Sequence, residues 1–350
     1  MIKQSENADI TSLTTFGITA GCGSLFEYDT DEDLAALHSR GVFSRPYITL
    51  GGGSNMLFIN GFYAGAVITS RNDSITWRGL DTDFPLMECG AALQLDRACS
   101  LAAEAGLWGL ENLSGIPGSV GGAAVQNAGA YGAEFADAAV TLKVFDTSTG
   151  QTAEMPAADC GYGYRTSIFK APENSGRYII TAVTFRLSRL CRANLSYRGL
   201  TEALGYDEIT AEAAATLTPR QIRTAVLAVR DRKLPDPSKA GSAGSFFKNP
   251  VVSAREYQQI IGLSGMSGME PAGHRQPDGS IKLSAAWLID KAGCKALTCG
   301  GAALWPTQPL VLVNASGATG ADVAALAAEV SARVSQRFGV TLTPEVIYIR

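Results

Sequence analysis

A chain of 350 residues that is 46% hydrophobic and 18% charged carries enough apolar content for two or three packed domains, which excludes a disordered or collagen-like polymer. Its formal charge of −4 and pI near 5.4 exclude a broad basic field, so a nucleic-acid or anionic-membrane partner is not expected. Phosphate groups, if bound, must be held locally by loops and a few placed cations.

The N-terminal run MIKQSENADI has no apolar core for a signal peptide, and no segment reaches the roughly 18 apolar residues of a membrane helix; a cytoplasmic protein is expected. Leu25–Tyr28 reads as a strand and Asp31–His38 as a helix. The β-rich run Tyr47–Leu50 feeds a glycine turn, Gly51-Gly52-Gly53-Ser54-Asn55, and Ala66–Thr69 is a further strand. A helix is predicted from Leu95 to Ala105, ended by Gly106.

The 24 residues from Gly109 to Gly132, GLENLSGIPGSVGGAAVQNAGAYG, contain seven glycines, one acid and no Lys or Arg. They show almost no helix or strand periodicity. Glycine permits φ > 0 and close approach of backbone to a ligand, and successive N–H groups make anion sites without basic side chains. Leu110, Leu113, Ile116, Val120, Val125 and Tyr131 anchor the segment as no solvated linker would be anchored. Two glycine loops about 60 residues apart suggest a long nucleotide whose phosphates are clamped from two sides. Neither loop fits G-x-G-x-x-G opening a βαβ unit, and no G-x-x-x-x-G-K-[ST] occurs.

Val140–Asp146 and the alternating Val183–Leu187 read as strands. Thr218-Pro219-Arg220-Gln221 reads as a capping box with proline at the first helical position, opening a helix that stops before Leu234-Pro235-Asp236-Pro237, where a domain boundary is expected. Beyond it, Ala285–Gly293 and Thr319–Phe338 read as helices around the apolar strand Leu310–Val313. In the last helix Thr319 caps with Asp322, Val323, Leu326, Val330, Val334 and Phe338 form a core stripe, and Gly339 closes it. The overall class is α+β.

Seven scattered cysteines (22, 89, 99, 160, 191, 294, 299) with no C-x-x-C pair read as buried thiols in a reducing compartment. The two histidines, His38 and His274, lie outside the glycine loops, which argues against a His-based triad and a metal site. Three segments set a polar group among glycine, proline and aromatics: GYGYRTSIFK around Arg165, AGSFFKNP around Ser245, and the terminal PEV with Glu345. By spacing alone a surface salt-bridge arginine, a turn serine and an edge-strand glutamate fit as well.

In order and spacing, GGGSN, the long glycine block, YRTSIFK, KLPDP, AGSFFKNP and PEV resemble the UDP-N-acetylenolpyruvoylglucosamine reductase family, longer-chain subtype, from about Ser12 to the C-terminus. AGSFFKNP with the glycine block is the specific part. The resemblance implies a two-domain FAD-binding scaffold of the PCMH/VAO type plus a third α+β substrate-binding domain, divided at about 1–72, 73–233 and 234–339, with the strand near 340–350 returning to the first. It implies FAD, held noncovalently by Gly51, Gly52, Gly53, Ser54, Asn55, Ser114, Gly115, Pro117, Gly118, Ser119, Gly121, Gly122, Asn127, Gly129 and Tyr131. The lack of histidine near the glycine loops fits noncovalent binding, while a cysteine link stays open.

The same resemblance implies NADPH and UDP-N-acetylglucosamine enolpyruvate as small-molecule partners of a monomer, with Arg165, Ser245 and Glu345 catalytic. Tyr197, Arg230, Lys233, Asn249, His274 and Gln308 would contact the UDP-sugar. Hydride addition to an enol ether conjugated to a carboxylate builds negative charge, which suits a fixed Arg165 helped by Glu345; a positioned Ser245 hydroxyl can then protonate the adjacent carbon. Two positions depart from the family pattern: Thr14 stands where asparagine is common, and His274 falls near an expected tyrosine. Another FAD-dependent oxidase on the same scaffold, or a flavin binder without catalysis, are the competing readings.

Overall fold

In the computed structural model, which describes residues 1–236, 239–264 and 273–350, two compact units account for the chain. The first comprises residues 1–8, 22–53 and 64–232; the second comprises 9–21, 54–63 and 233–350. Pro237 of the KLPDP motif, and Pro271 and Ala272 before His274, lie outside the described residues.

The first unit holds two large sheets, beside the short pair Gly129–Ala130 and Ala133–Glu134. In one, strands Lys3–Asp9, Gly21–Tyr28, Phe62–Ser70 and Tyr47–Leu50 lie in that order, the last pair parallel with Tyr47 opposite Ala66. Helix Asp31–Ser39 begins with a reciprocal cap between Thr30 and Asp33. The second sheet is antiparallel, ordered Gln151–Pro156, Ala139–Asp146, Tyr178–Arg186, Leu86–Gly90 and Ile75–Arg78.

An expected boundary near residue 72 does not divide these sheets into separate units. Phe145 and Ile179, from the second sheet, are buried in one apolar cluster with Phe26, Tyr28 and Ile68 of the first and with Leu34 and Leu37 of the helix Asp31–Ser39, so the two sheets share a core. Burying one such side chain is worth roughly 1.5–3 kcal/mol, which makes independent separation costly.

The second unit contains the order Gly241–Ser245, Gln308–Asn314, Ala302–Trp305, Thr298–Cys299, and a three-stranded sheet of Val251–Val252, Ile281–Leu283 and Gly273–Arg275. Helix Gly320–Phe338 lays Val323, Leu326, Val330, Val334 and Phe338 into its core, starts with the Thr319–Asp322 capping box and ends at left-handed Gly339. The C-terminal strand Ile347–Ile349 does pair, in parallel, with Met56–Phe58 of the N-terminal 72 residues, but that segment clusters with the second unit. So does the segment around Thr14, whose hydroxyl bonds the Thr11 carbonyl at 3.1 Å while Thr15 donates to the Ser242 carbonyl at 2.6 Å.

Five cysteines are buried as expected; Cys191 is exposed and Cys299 half-buried. Among the described residues no helix is long and apolar enough to cross a membrane, and no cluster of His, Cys, Asp and Glu is placed to hold a metal.

Candidate cofactor cradle and active site

The two glycine loops of the first unit lie backbone against backbone. A Cβ added at Gly52 would stand 2.6 Å from Gly118 Cα and 2.9 Å from Ser119 N, and one at Gly51 would stand 2.6 Å from Ser119 Oγ. Gly53, Gly115 and Gly118 have φ of +59°, +74° and +112°, the region where a Cβ is strained. Gly51 and Gly52 are therefore required first by the partner loop, before any ligand is considered.

The long loop is not irregular throughout, as its composition led one to expect. Val120–Gln126 is helical, with Ser119 Oγ accepting from Gly122 N at 3.2 Å. Two glycines disfavour that helix by roughly 1 kcal/mol each. Burial of Val120, Ala123 and Ala124 in the core with Phe135, Val183 and Phe185 outweighs this.

Whether this loop pair suits a diphosphate can be judged from its donors and its space. It offers peptide backbone and small hydroxyls with no side-chain bulk. Within it, the Ser114 hydroxyl, a possible donor to a phosphate oxygen, is buried without a hydrogen-bond partner among the described residues. A nucleotide diphosphate fits such a cradle.

One end of the loop is tied to the helix Pro219–Lys233. Asp96 accepts from Gly115 N at 2.6 Å and forms a two-pronged ion pair with Arg223, whose Nη2 lies 2.8 Å from Oδ2. Arg223 holds the Asp96 carboxyl below its usual range. Arg230, about two turns further along, lies over Gly115, where a Cβ would be 2.7 Å from its Nε. Burial pulls the Arg230 guanidinium down from its ordinary value, and the Tyr131 hydroxyl, hydrogen-bonded to it, opposes that shift. Tyr131 in turn meets Tyr197 edge-on, ring centroids 5.0 Å apart. Gly115, Tyr131, Tyr197 and Arg230, named separately from sequence, thus form one chain of contacts.

Arg165 sits in a turn closed by Gly163 N to Thr166 O at 3.2 Å and Thr166 N to Gly163 O at 3.1 Å, with its own φ at +53°. Its Nη2 donates to the Gly129 carbonyl at 2.5 Å and its Nη1 to the Asn127 carbonyl at 3.4 Å. Ser167 Oγ donates to the Val125 carbonyl at 2.6 Å, fastening the turn to the helix end. Asn127 was expected to touch the cofactor, yet its amide is committed within the protein, to Glu134, Gly163 and Ala136.

In the second unit Ser245 is exposed at the end of a strand bulged between Ser242 and Ser245, where Gly244 has φ +66°. Phe246 and Phe247 follow it into the core. Glu345, half-buried, donates its backbone N–H to the Phe246 carbonyl at 2.8 Å, so Ser245 and Glu345 ride on adjoining segments. Asn55, also expected at the cofactor, donates its amide to the Glu345 carbonyl at 3.1 Å; with Ser54 it belongs to the second unit.

Asn249 Oδ1 accepts from Ala285 N at 3.0 Å, bracing the helix Ala285–Lys291. Lys233 and Gln308 are brought near one another, because Thr307 Oγ1 donates to the Lys233 carbonyl at 3.0 Å. His274 is exposed on the three-stranded sheet, apart from the sheet that carries Ser245 and Gln308. Asp96, Arg223 and Asn112 escaped sequence reading; the Asn112 amide donates to the Tyr131 and Asn194 carbonyls at 2.7 and 2.9 Å. A first-turn aspartate such as Asp96 reads as an ordinary helix-dipole residue, and nothing local distinguishes it.

A family model described as FAD binding domain matches residues 27–155, and one described as UDP-N-acetylenolpyruvoylglucosamine reductase, C-terminal domain, matches 236–349. The chain is 42% identical over 340 residues to the UDP-N-acetylenolpyruvoylglucosamine reductase of Burkholderia cenocepacia (strain HI2424), covering 96% of this chain and 94% of that one. It is 38% identical over 345 residues to the enzyme of the same name from Porphyromonas gingivalis (strain ATCC 33277), covering 98% of each. The crystal structure of UDP-N-acetylenolpyruvylglucosamine reductase from Thermus caldophilus superposes with a TM-score of 0.67 at 25% identity, spanning 100% of this chain and 99% of that one.

Proposed function

The chain belongs to the UDP-N-acetylenolpyruvoylglucosamine reductase family, FAD-dependent oxidoreductases, and from that premise we propose which of its residues carry the NADPH-dependent reduction of UDP-N-acetylglucosamine enolpyruvate in peptidoglycan synthesis. The chemistry that bound FAD would supply is hydride transfer, from NADPH to the enolpyruvyl C3. Gly51, Gly52, Gly53, Ser114, Gly115, Pro117, Gly118, Ser119, Gly121 and Gly122 would hold its diphosphate.

As the C3–H bond forms, the double-bond electrons move toward C2 and the carboxylate. Arg165 faces that developing charge as a fixed cation, and Glu345 shares it through a hydrogen bond from its carboxyl. Ser245 gives its hydroxyl proton to C2, completing the second C–H bond, and regains a proton from solvent. The observation that most supports this reading is the tethering of the Arg165 guanidinium to two backbone carbonyls on a left-handed turn, which fixes the cation before charge develops. Preorganised groups of this kind are typically worth about 10²–10³ in rate.

Arg230 and Lys233 would meet the UDP diphosphate, with Tyr197, Asn249 and Gln308 completing the sugar-nucleotide contacts. His274 contributes least, being exposed on a different sheet. The reading has the protein work as a cytoplasmic monomer; its seven unpaired cysteines suit a reducing compartment.

Anaerobic absorbance at about 450 nm, where oxidised flavins absorb, tests the reaction. Bleaching by NADPH followed by recovery on adding UDP-N-acetylglucosamine enolpyruvate is expected. Bleaching without recovery would reject this substrate.

A further inference from the structure

We infer that Asn127 is a positioning residue for Arg165, an inference that rests on the proposed role of that arginine. Asn127 is wholly buried and terminates the helix Val120–Gln126 with φ +46°, a left-handed conformation asparagine tolerates better than most residues. That backbone twist turns its carbonyl toward Arg165 Nη1, at 3.4 Å, and sends the chain on to Gly129, whose carbonyl takes Nη2 at 2.5 Å.

The side chain acts on the same arginine from the other side. Its Nδ2 donates to the Gly163 carbonyl at 3.0 Å and to Glu134 Oε2 at 2.7 Å, and its Oδ1 accepts from Ala136 N at 3.0 Å. Gly163 closes the turn in which Arg165 stands at φ +53°. A left-handed arginine is strained, and such strain persists only where neighbours over-determine it. Asn127 therefore clamps the turn through its amide and receives the guanidinium through its carbonyl. Glycine would supply the twist without the clamp. Aspartate would lose both donors and set a carboxylate against Glu134.

Four variants of the FAD-loaded enzyme decide the matter: Asn127→Gly, Arg165→Ala, the two combined, and Asn127→Asp. Asn127→Gly should keep its flavin, its KM for UDP-N-acetylglucosamine enolpyruvate and its rate of reduction by NADPH within about threefold. It should slow flavin reoxidation by that substrate about 30- to 100-fold, the penalty of a catalytic group displaced by about 1 Å. In an Arg165→Ala background the same change should add less than about threefold, because the group it positions is gone. Asn127→Asp should regain reoxidation rate as pH falls into the carboxyl range, where a protonated side chain donates again, and this variant carries the test if Asn127→Gly does not fold. Equal loss in both half-reactions, effects that multiply with Arg165→Ala, or an Asn127→Asp profile parallel to the parent's would overturn the brace. Unaltered reoxidation in Arg165→Ala alone would overturn the arginine's role, and the brace with it.

Discussion

Glu345 donates its backbone N–H to the carbonyl of Phe246 at 2.8 Å, and this single bond carries the glutamate onto the segment next to Ser245. The Phe247–Pro344 bridge and the bond from Lys248 N to Thr343 O extend the pairing on one side, and Asn55 holds the Glu345 carbonyl on the other. The side chain is thus placed by backbone bonds that a substitution leaves intact. Glu345→Ala, which removes the donor, should leave the melting temperature within about 2 °C and slow flavin reoxidation by substrate roughly 10²-fold or more. Stopped-flow reoxidation rates beside a thermal melt check this; a large fall in melting temperature with unchanged rate would make Glu345 structural.

Gly52 is pressed against the Gly118–Ser119 backbone, where neither partner can swing away as a side-chain tip would. Gly52→Ala should destabilise the protein by roughly 1–3 kcal/mol and lower the flavin retained on purification. Gly262, in the helix Ala254–Ser264, has open space where a Cβ would be added, so Gly262→Ala should be neutral or stabilising by up to about 1 kcal/mol. Denaturant melts of both variants, with flavin-to-protein absorbance ratios, make the comparison.

Tyr197 packs edge-on against Tyr131, and phenylalanine keeps that ring contact. Tyr197→Phe should therefore preserve stability and FAD affinity while raising KM for the UDP-sugar roughly tenfold through the lost hydroxyl. Steady-state kinetics against both substrates suffices; an unchanged KM removes Tyr197 from the substrate contacts.

Asp96 binds Gly115 N and Arg223, which hold its folded-state pKa below its ordinary value of 3.8. A carboxyl depressed on folding contributes stability that is present above its unfolded value and is lost as pH falls through the folded one. The melting-temperature gap between the parent and Asp96→Asn should therefore be full at pH 7 and close progressively below about pH 4. With the Asp96 side chain 39% exposed, solvent screening keeps the gap small, and 1 M salt should narrow it further at pH 7. A gap independent of pH would mean the amide reproduces what the carboxylate does.

What the sequence disclosed was local chemistry. Thr319 with Asp322 and Thr218 with Gln221 announce helix starts because each cap is written within four residues, and both caps are present. The helix Val120–Gln126 was hidden because VGGAAVQ has poor intrinsic propensity, and only burial and the Ser119 cap carry it. Lys3–Asp9 was hidden for the opposite reason: KQSENAD is polar on both faces, so no alternation marks it as a strand. The motifs around Arg165, Ser245 and Glu345, proposed as catalytic, are each written in a few consecutive residues, whereas Asn55, Asp96 and Asn127 bond to partners distant in the chain. The two-sheet core through Phe145 and Ile179 is likewise a long-range fact that no local pattern could carry.

Ser245→Ala, followed one half-reaction at a time, tests most directly the proposed delivery of a proton by Ser245 after Arg165 and Glu345 have met the charge. Anaerobic reduction of the bound flavin by NADPH should proceed within about threefold of the parent rate, while reoxidation by UDP-N-acetylglucosamine enolpyruvate should slow at least 10²-fold, as expected for loss of a positioned acid. Equal slowing of both half-reactions, or undiminished reoxidation, would contradict it.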